Sequence, residues 1–358
     1  MSNTFGKIFT LTTAGESHGP ALVGIVDGMP AGIKVDFDRV RLEMSRRRPG
    51  QPLSTNRNEA DEVTFLSGIM DGVTLGTPIA FMIPNSDAAS ADYEHLKKTF
   101  RPNHADFTYQ AKYGIRDHRG GGRASARETA LRVVGGALAM MALERRGVSV
   151  EAFTSGVGSV SMPDAADVDC SKIWSSPLRC PHPEASEAME KEVLEARKAG
   201  DTVGCRVSGV VNGLCAGVGE PVYDKLSAWL AYAMMSINAA HSFEYGSGAK
   251  LSSVRGSEVI DAFEVGSDGS VRTASNHSGG IQGGISNGMP VTFTVGFKPL
   301  PTLMRPVGSI ALNGDIIELQ PRGRHDVCAV PRAVPVVRAM AAMTVLDLLL
   351  VAEARRLR

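Results

Sequence analysis

The chain has 358 residues, 43% of them apolar and 21% charged, a profile that excludes a disordered or membrane-embedded protein and supplies enough chain for a large core. Lys plus Arg and Asp plus Glu are equal at 38 each, so no net field draws in nucleic acid or an anionic membrane surface. Within that neutral balance 27 residues are Arg and 11 are Lys, and the planar guanidinium fork suits bidentate grips on carboxylate or phosphate. Cys170, Cys180, Cys205, Cys215 and Cys328 form no Cys-x-x-Cys pair and no zinc spacing. They point to a reducing, cytoplasmic setting without a metal site. The opening "MSNTFGKIFT" lacks the apolar run of a secretory signal.

In chain order, the first segment of interest is "TTAGESHGPAL" at Thr12–Leu22. Glycines flank Ser17 and His18 and permit backbone angles that other residues disfavour, so the stretch reads as a shaped, functional loop. From residue 21 a strand, turn, helix and strand pattern runs to residue 83, and a similar one spans 206–295. "VDGMPAGI" at Val26–Ile33 resembles "VNGLCAGV" at Val211–Val218, and "SGIMDGVTLGTPIAFMI" at Ser67–Ile83 aligns without a gap on "GGIQGGISNGMPVTFTV" at Gly279–Val295. The pattern predicts a diverged internal duplication within one domain spanning 1–358. A helix beginning near Val40 and Met44 stops at "RRRPG", where proline and glycine break it.

The next segment, Phe100–Gly136, carries His104 between Arg101 and Asp106, then Gly120, Gly121, Gly122 and Arg123 before a helix opening at Ser125. "SARE" has the form of a capping box. Free N–H groups and the helix dipole there favour an anion, which Arg123 and Arg127 could grip. In its loop His104 could donate a proton to that anion. Gly135 and Gly136 inside the helix each cost about 1 kcal/mol relative to alanine, which predicts tight packing by another backbone. Farther on, Glu184–Gly200 reads as a solvated helix and Leu226, Trp229, Leu230, Ala233, Met234 and Ile237 share one helical face. "VTFTVGF" alternates as a strand, with Val291, Phe293, Val295 and Phe297 on one side. A Gly/Pro-bounded loop then presents Arg324, His325 and Asp326, ahead of an apolar helix at Val334–Ala352. Arg338 and Asp347 within that run mark it as a buried core helix, not a membrane span.

Together the three loops point to a small anionic substrate and histidine acid chemistry. A Ser-His-Asp hydrolase built on Ser17, His18 and Asp326 is disfavoured, because adjacent Ser and His side chains rarely meet nucleophile-to-base geometry and no Gly-x-Ser-x-Gly elbow is present. No Gly-Lys-Ser/Thr loop follows the glycines. A pure binding module would leave the histidine loops without a role.

Motifs along nearly the whole chain resemble those of the chorismate synthase family. They are "GESHG" at Gly15–Gly19, "RRRPG" at Arg46–Gly50, "FRPNHAD" at Phe100–Asp106, "GGGRASARET", "GEPVYDKL", "MSINAAHSFEYG", "SNHSGGIQGGISNG" and "GRHDVCAVPRAVP". The resemblance implies an α+β fold, a β-α-β sandwich of two antiparallel sheets enclosing helices, assembled as a homotetramer. It implies the lyase reaction of aromatic amino acid biosynthesis, an anti 1,4-elimination that turns 5-enolpyruvylshikimate 3-phosphate into chorismate and phosphate. Reduced FMN is required without net redox change. No stretch remains for a flavin-reducing domain, so the flavin would arrive reduced from outside, with NADP as the associated nicotinamide.

Carried over by motif, Ser17 and His18 belong to a relay at the flavin, where His18 supplies the proton that balances its charge. His104 protonates the departing phosphate, and Asp326 assists proton movement at flavin N5. Arg47, Arg101, Ser125, Arg127 and Arg324 match substrate positions. Arg123, Ala124, Ser125, Asn238, Ala239, Gly283, Lys298, Pro299, Leu300, Pro301, Thr302 and Arg324 match flavin contacts. The chain departs from the family pattern at Ala124, where serine is usual, at Asn103, where glycine is usual, at "KPLPT", and at "RHDV". An arginine often found after "RRRPG" is absent at Leu53, a place Arg57 could fill. A homologue that keeps the pocket and has lost turnover is the alternative those departures leave.

Overall fold

The computed structural model describes residues 3–50, 53–54, 60–86, 90–163, 168–267, 269–320 and 325–356. Arg57 and Arg324 lie outside them. Two five-stranded antiparallel sheets form the frame. The first contains β1 (Thr4–Phe5), β2 (Thr10–Ala14), β3 (Ala21–Asp27), β4 (Thr64–Phe65) and β5 (Ile79–Pro84), in the order β1-β2-β3-β5-β4. The second contains β6 (Ser149–Val157), β7 (Val160–Ser161), β8 (Cys205–Asn212), β9 (Ala240–Tyr245) and β10 (Val291–Phe297), in the order β9-β10-β8-β6-β7. Period-two alternation buries one face of each: Leu22 and Val26 on β3, Ile79, Phe81 and Ile83 on β5, Val207 and Val211 on β8, and Val291, Phe293 and Val295 on β10.

Six α-helices are described: α1 (Phe37–Arg47), α2 (Asp106–Tyr113), α3 (Thr129–Glu144), α4 (Pro183–Lys198), α5 (Leu226–Met235) and α6 (Ala333–Ala354). Asp36 caps α1, its side chain accepting from the Arg39 amide. α3 and α6 are apolar on nearly every side and buried accordingly. α6 packs against β6, β8, α3 and α5, while α3 meets α1, β2 and β3. α6 is long and apolar enough to cross a membrane, yet 94% of its apolar window is buried inside the protein. The expected close packing at Gly135–Gly136 is present: a Cβ on Gly136 would overlap Ala339 of α6, and one on Gly135 would lie 2.9 Å from Met343 Sδ. Absent side chains let the two core helices touch backbone to backbone.

The two sheets repeat small details at corresponding positions. Gly24 pairs with Phe81 and Gly209 with Phe293, each phenyl ring occupying the place of the missing Cβ. The Thr74 hydroxyl donates to Pro30 O at 2.7 Å and accepts from the Ile33 amide at 3.0 Å. The Ser286 hydroxyl donates to Cys215 O at 2.7 Å and accepts from the Val218 amide at 2.9 Å. Both hydroxyls sit on short hairpins, Ile69–Met70 with Val73–Thr74 and Ile281–Gln282 with Ile285–Ser286.

One local expectation is corrected. α3 does not open directly at Ser125 through a capping box. A 3-10 turn at Ala126–Glu128 comes first, and the Ser125 hydroxyl accepts from the Arg127 amide at 3.3 Å. Glu128 pairs instead with Arg132 at 2.7 Å, since a guanidinium one turn ahead is a stronger partner than a backbone amide.

Candidate active site

The strands deliver the site through their connections. Ser17 and His18 lie between β2 and β3, and His104 and the three glycines lie between β5 and α3. Lys298–Thr302 and Asp326 lie between β10 and α6. Gly120, Gly121 and Gly122 take φ of 64°, 101° and 55°, a left-handed run that side chains disfavour. The resulting strap separates the two histidines. A Cβ on Gly120 would lie 2.5 Å from His18 Cδ2 and 2.9 Å from Ser17 Oγ. One on Gly121 would lie 3.0 Å from His104 Cε1 and 3.2 Å from its Nε2. Ser17 Oγ points to Arg119 O at 3.5 Å, and Tyr93 meets the His18 ring edge-on at 5.1 Å.

Behind His104 stands Asp106, buried at the start of α2. It accepts from Arg101 Nε at 2.8 Å, Arg101 Nη2 at 2.9 Å and the Arg101 amide at 3.0 Å, and His104 Nδ1 lies 3.1 Å away. Arg116 Nη1 adds a charge at 3.3 Å. Burial alone would push the carboxyl pKa up; the hydrogen bonds from Arg101 and His104 outweigh it and hold the group far below the usual carboxylate range. Arg101, expected on the substrate, thus commits one edge of its guanidinium to Asp106.

Asp61 organises a second arginine cluster. Arg127 Nη1 hydrogen-bonds it, Arg127 Nε donates to Asn85 Oδ1 at 2.9 Å, and Arg127 Nη2 donates to Pro84 O at 3.3 Å. Arg47 is fully buried beneath, with Nη1 on Arg127 O at 3.2 Å and Nη2 3.7 Å from Asp61. Its geometry supports Arg127 from behind. Asn85 Nδ2 donates to Glu16 O at 3.1 Å and Gly19 O at 2.8 Å, fastening the His18 loop to the same cluster. Arg123 also braces that loop, reaching Thr13 Oγ1 at 2.7 Å and Gly15 O at 3.4 Å.

The second half closes on these loops at two points. Asn238 Nδ2 donates to Ala124 O at 3.0 Å, and Lys298 Nζ donates to Asn103 O at 3.0 Å. Asn238 Oδ1 is buried and has no hydrogen-bond partner among the described residues. Ala239, with φ of 66°, accepts the Lys298 amide at 3.0 Å. Leu300 O accepts from Thr202 Oγ1 at 2.8 Å, and Gly204 abuts Pro299. The Val203 amide donates to Val327 O at 3.0 Å, so the stretch that touches Pro299 and Leu300 also touches the residue after Asp326. Asp326 Oδ2 accepts from Arg332 Nη1 at 2.9 Å. Gly283, with φ of 60°, turns a hairpin whose Gly284 O accepts from Leu226 at the start of α5.

Three departures find local explanations. Asn103 takes φ of 57°, the region glycine would enter and asparagine tolerates. Ala124 and Leu300 make their contacts through backbone carbonyls, so their side chains are not what holds them. Asp61, Asn85 and Tyr93 escaped the sequence reading. None belongs to a local motif, and only the fold brings them to the loops.

Two histidines on either side of a glycine strap, with guanidinium clusters fixed beside them, are what an enzyme acting on a small anion would use. Known proteins agree. Residues 9–350 match the family model described as chorismate synthase. The chain is 53% identical over 347 residues to the chorismate synthase of Christiangramia forsetii, covering 96% of each chain. It is 51% identical over 349 residues to that of Bacteroides fragilis, covering 97% of each. A crystal structure of a chorismate synthase superimposes with a TM-score of 0.76 at 29% identity, covering 96% of this chain and 92% of that one. The chain belongs to the chorismate synthase family.

Proposed function

We propose that this chain converts 5-enolpyruvylshikimate 3-phosphate to chorismate and phosphate by anti 1,4-elimination, with reduced FMN supplied from outside. The family membership, over 96% of the chain for the relative from Christiangramia forsetii, supports the reaction, and the strap between His18 and His104 supports the site. We propose further that the fold is one sandwich domain of two sheets around α3 and α6, produced by duplication of a unit seen at 21–83 and 206–295. The matched Thr74 and Ser286 bonds support that reading. A cytoplasmic homotetramer is the working assembly.

The residues present fit a flavin. Asn238 offers a buried acceptor without a partner among the described residues; its amide holds Ala124 O, and Ala239 O next to it holds the Lys298 amide. When bound, reduced FMN supplies an electron on loan that assists loss of phosphate. His104 Nε2 donates the proton that neutralises the departing phosphate. Arg101 and Arg127, with Ser125 beside them, orient the substrate anion while Arg47 backs Arg127. Arg324 and Gly283 complete the list of contacts the family motifs propose. His18 and Ser17 hold a proton on the other side of the strap, and Asp326 assists removal of the ring proton.

An anaerobic assay with the phosphorylated substrate and chemically reduced FMN tests this. Equal release of chorismate and phosphate, lost in air or without flavin, is expected. Tight binding with no product would favour a homologue that has kept the pocket without turnover.

A further inference from the structure

Asp106 is 3% exposed; Arg101 and His104 hydrogen-bond it and the Arg116 guanidinium forms an ion pair with it. A carboxylate in that company is ionised, and an ionised carboxylate only accepts hydrogen bonds. The 3.1 Å contact with His104 Nδ1 must then be an N–H donating. That fixes the tautomer: Nδ1 carries the permanent proton, and Nε2 is the nitrogen that gains and loses one. Nε2 lies beside the strap, where a Cβ on Gly121 would be 3.2 Å from it. The same carboxylate takes the Nε–Nη2 edge of Arg101 and leaves its Nη1 edge uncommitted to Asp106.

We propose that Asp106 is the positioning residue of the site, setting the working nitrogen of His104 and the free edge of Arg101 from one buried anchor. This rests on the reading of His104 as the acid that meets the departing phosphate. The carboxylate touches neither substrate nor flavin. It acts by removing two alternatives, the wrong histidine tautomer and a swung-away arginine. A merely structural aspartate would affect stability and leave the chemical step alone.

The test is long-range proton–nitrogen NMR on the full chain with nitrogen-15 histidine, at pH 8. His104 is expected in the Nδ1–H form, and an Nε2–H form overturns the proposal without any variant being made. Asp106→Asn is then expected to shift His104 towards Nε2–H, because the new amide N–H₂ can face Nδ1. It should lower kcat by ~10²-fold or more, the scale on which a misplaced tautomer acts. Arg101→Gln should raise KM and leave the His104 tautomer unchanged. A kcat within about twofold of wild type in folded Asp106→Asn contradicts the proposal, since general acid catalysis is worth far more. Failure of the underlying reading is separable: full turnover by His104→Ala would remove the acid role whatever the tautomer proves to be.

Discussion

On the proposed reading, the two halves of the molecule share a frame and divide the chemistry. Each runs through two paired strands, a helix, a small hairpin and a returning strand, then a long connection into a buried helix, α3 in one half and α6 in the other. The frames agree to the level of a hydroxyl on a backbone carbonyl at 2.7 Å. The connections share nothing visible. Residues 85–128 bring His104, the glycine strap and the arginines, while residues 298–332 bring Lys298 and Asp326. Buried β–helix packing tolerates little change at each position, whereas surface connections are free to diverge and acquire function. The proposed site is then composite, built by unlike loops that follow like strands.

Substitutions can break this comparison at either level. The largest effect is expected in the first connection. His104→Ala should cost about 10²–10⁴ in kcat with the fold intact, measured under anaerobic single-turnover conditions. Next comes the contact between halves. Gly136→Ala would force a Cβ into Ala339 and should destabilise by about 1–3 kcal/mol through overpacking, read by urea unfolding. Retained stability would show that the α3–α6 crossing has room for a methyl group.

The frame itself is tested by a matched pair. Thr74→Ala and Ser286→Ala each leave a buried amide without its acceptor and a half-buried carbonyl without its donor and should each cost about 1–3 kcal/mol. Unequal losses, one substantial and one absent, would break the equivalence. The smallest expected effect is acid sensitivity. Asp261 accepts from Ser275 Oγ and the His277 and Ser278 amides. Burial works against its ionised form, but those bonds prevail and hold its pKa down at about 2. A lowered folded-state value means stability that is present above the unfolded carboxylate range and lost as pH falls towards 2. Asp261→Asn should therefore lower stability near neutrality and flatten its pH dependence between about pH 4 and pH 2.

Much of this was legible in the sequence. The three-and-four spacing placed α5, the alternation of "VTFTVGF" placed β10, and Arg338 with Asp347 marked α6 as a core helix. Arg338 is indeed buried on Val150 O and Glu43, and Asp347 accepts three amides from Lys7, Ile8 and Phe9. Local motifs also flagged His18, His104 and the glycines. What escaped is long-range. Asp61 and Asn85 have no neighbours in sequence that hint at chemistry, and they matter only because β5 and the 85–128 connection bring Arg127 to them. The 3-10 entry to α3 was hidden for a similar reason, since a competing guanidinium decided the fate of Glu128.

The central claim is that the two connections serve different steps of one reaction. It is tested most directly by the kinetic isotope effect on turnover, with deuterium at the ring position that loses its proton, in His104→Ala and Asp326→Asn. The composite site predicts opposite responses. Slowing phosphate departure in His104→Ala should mask the isotope effect, and slowing proton removal in Asp326→Asn should enlarge it. The same isotope effect in both variants would contradict the division of labour between the loops.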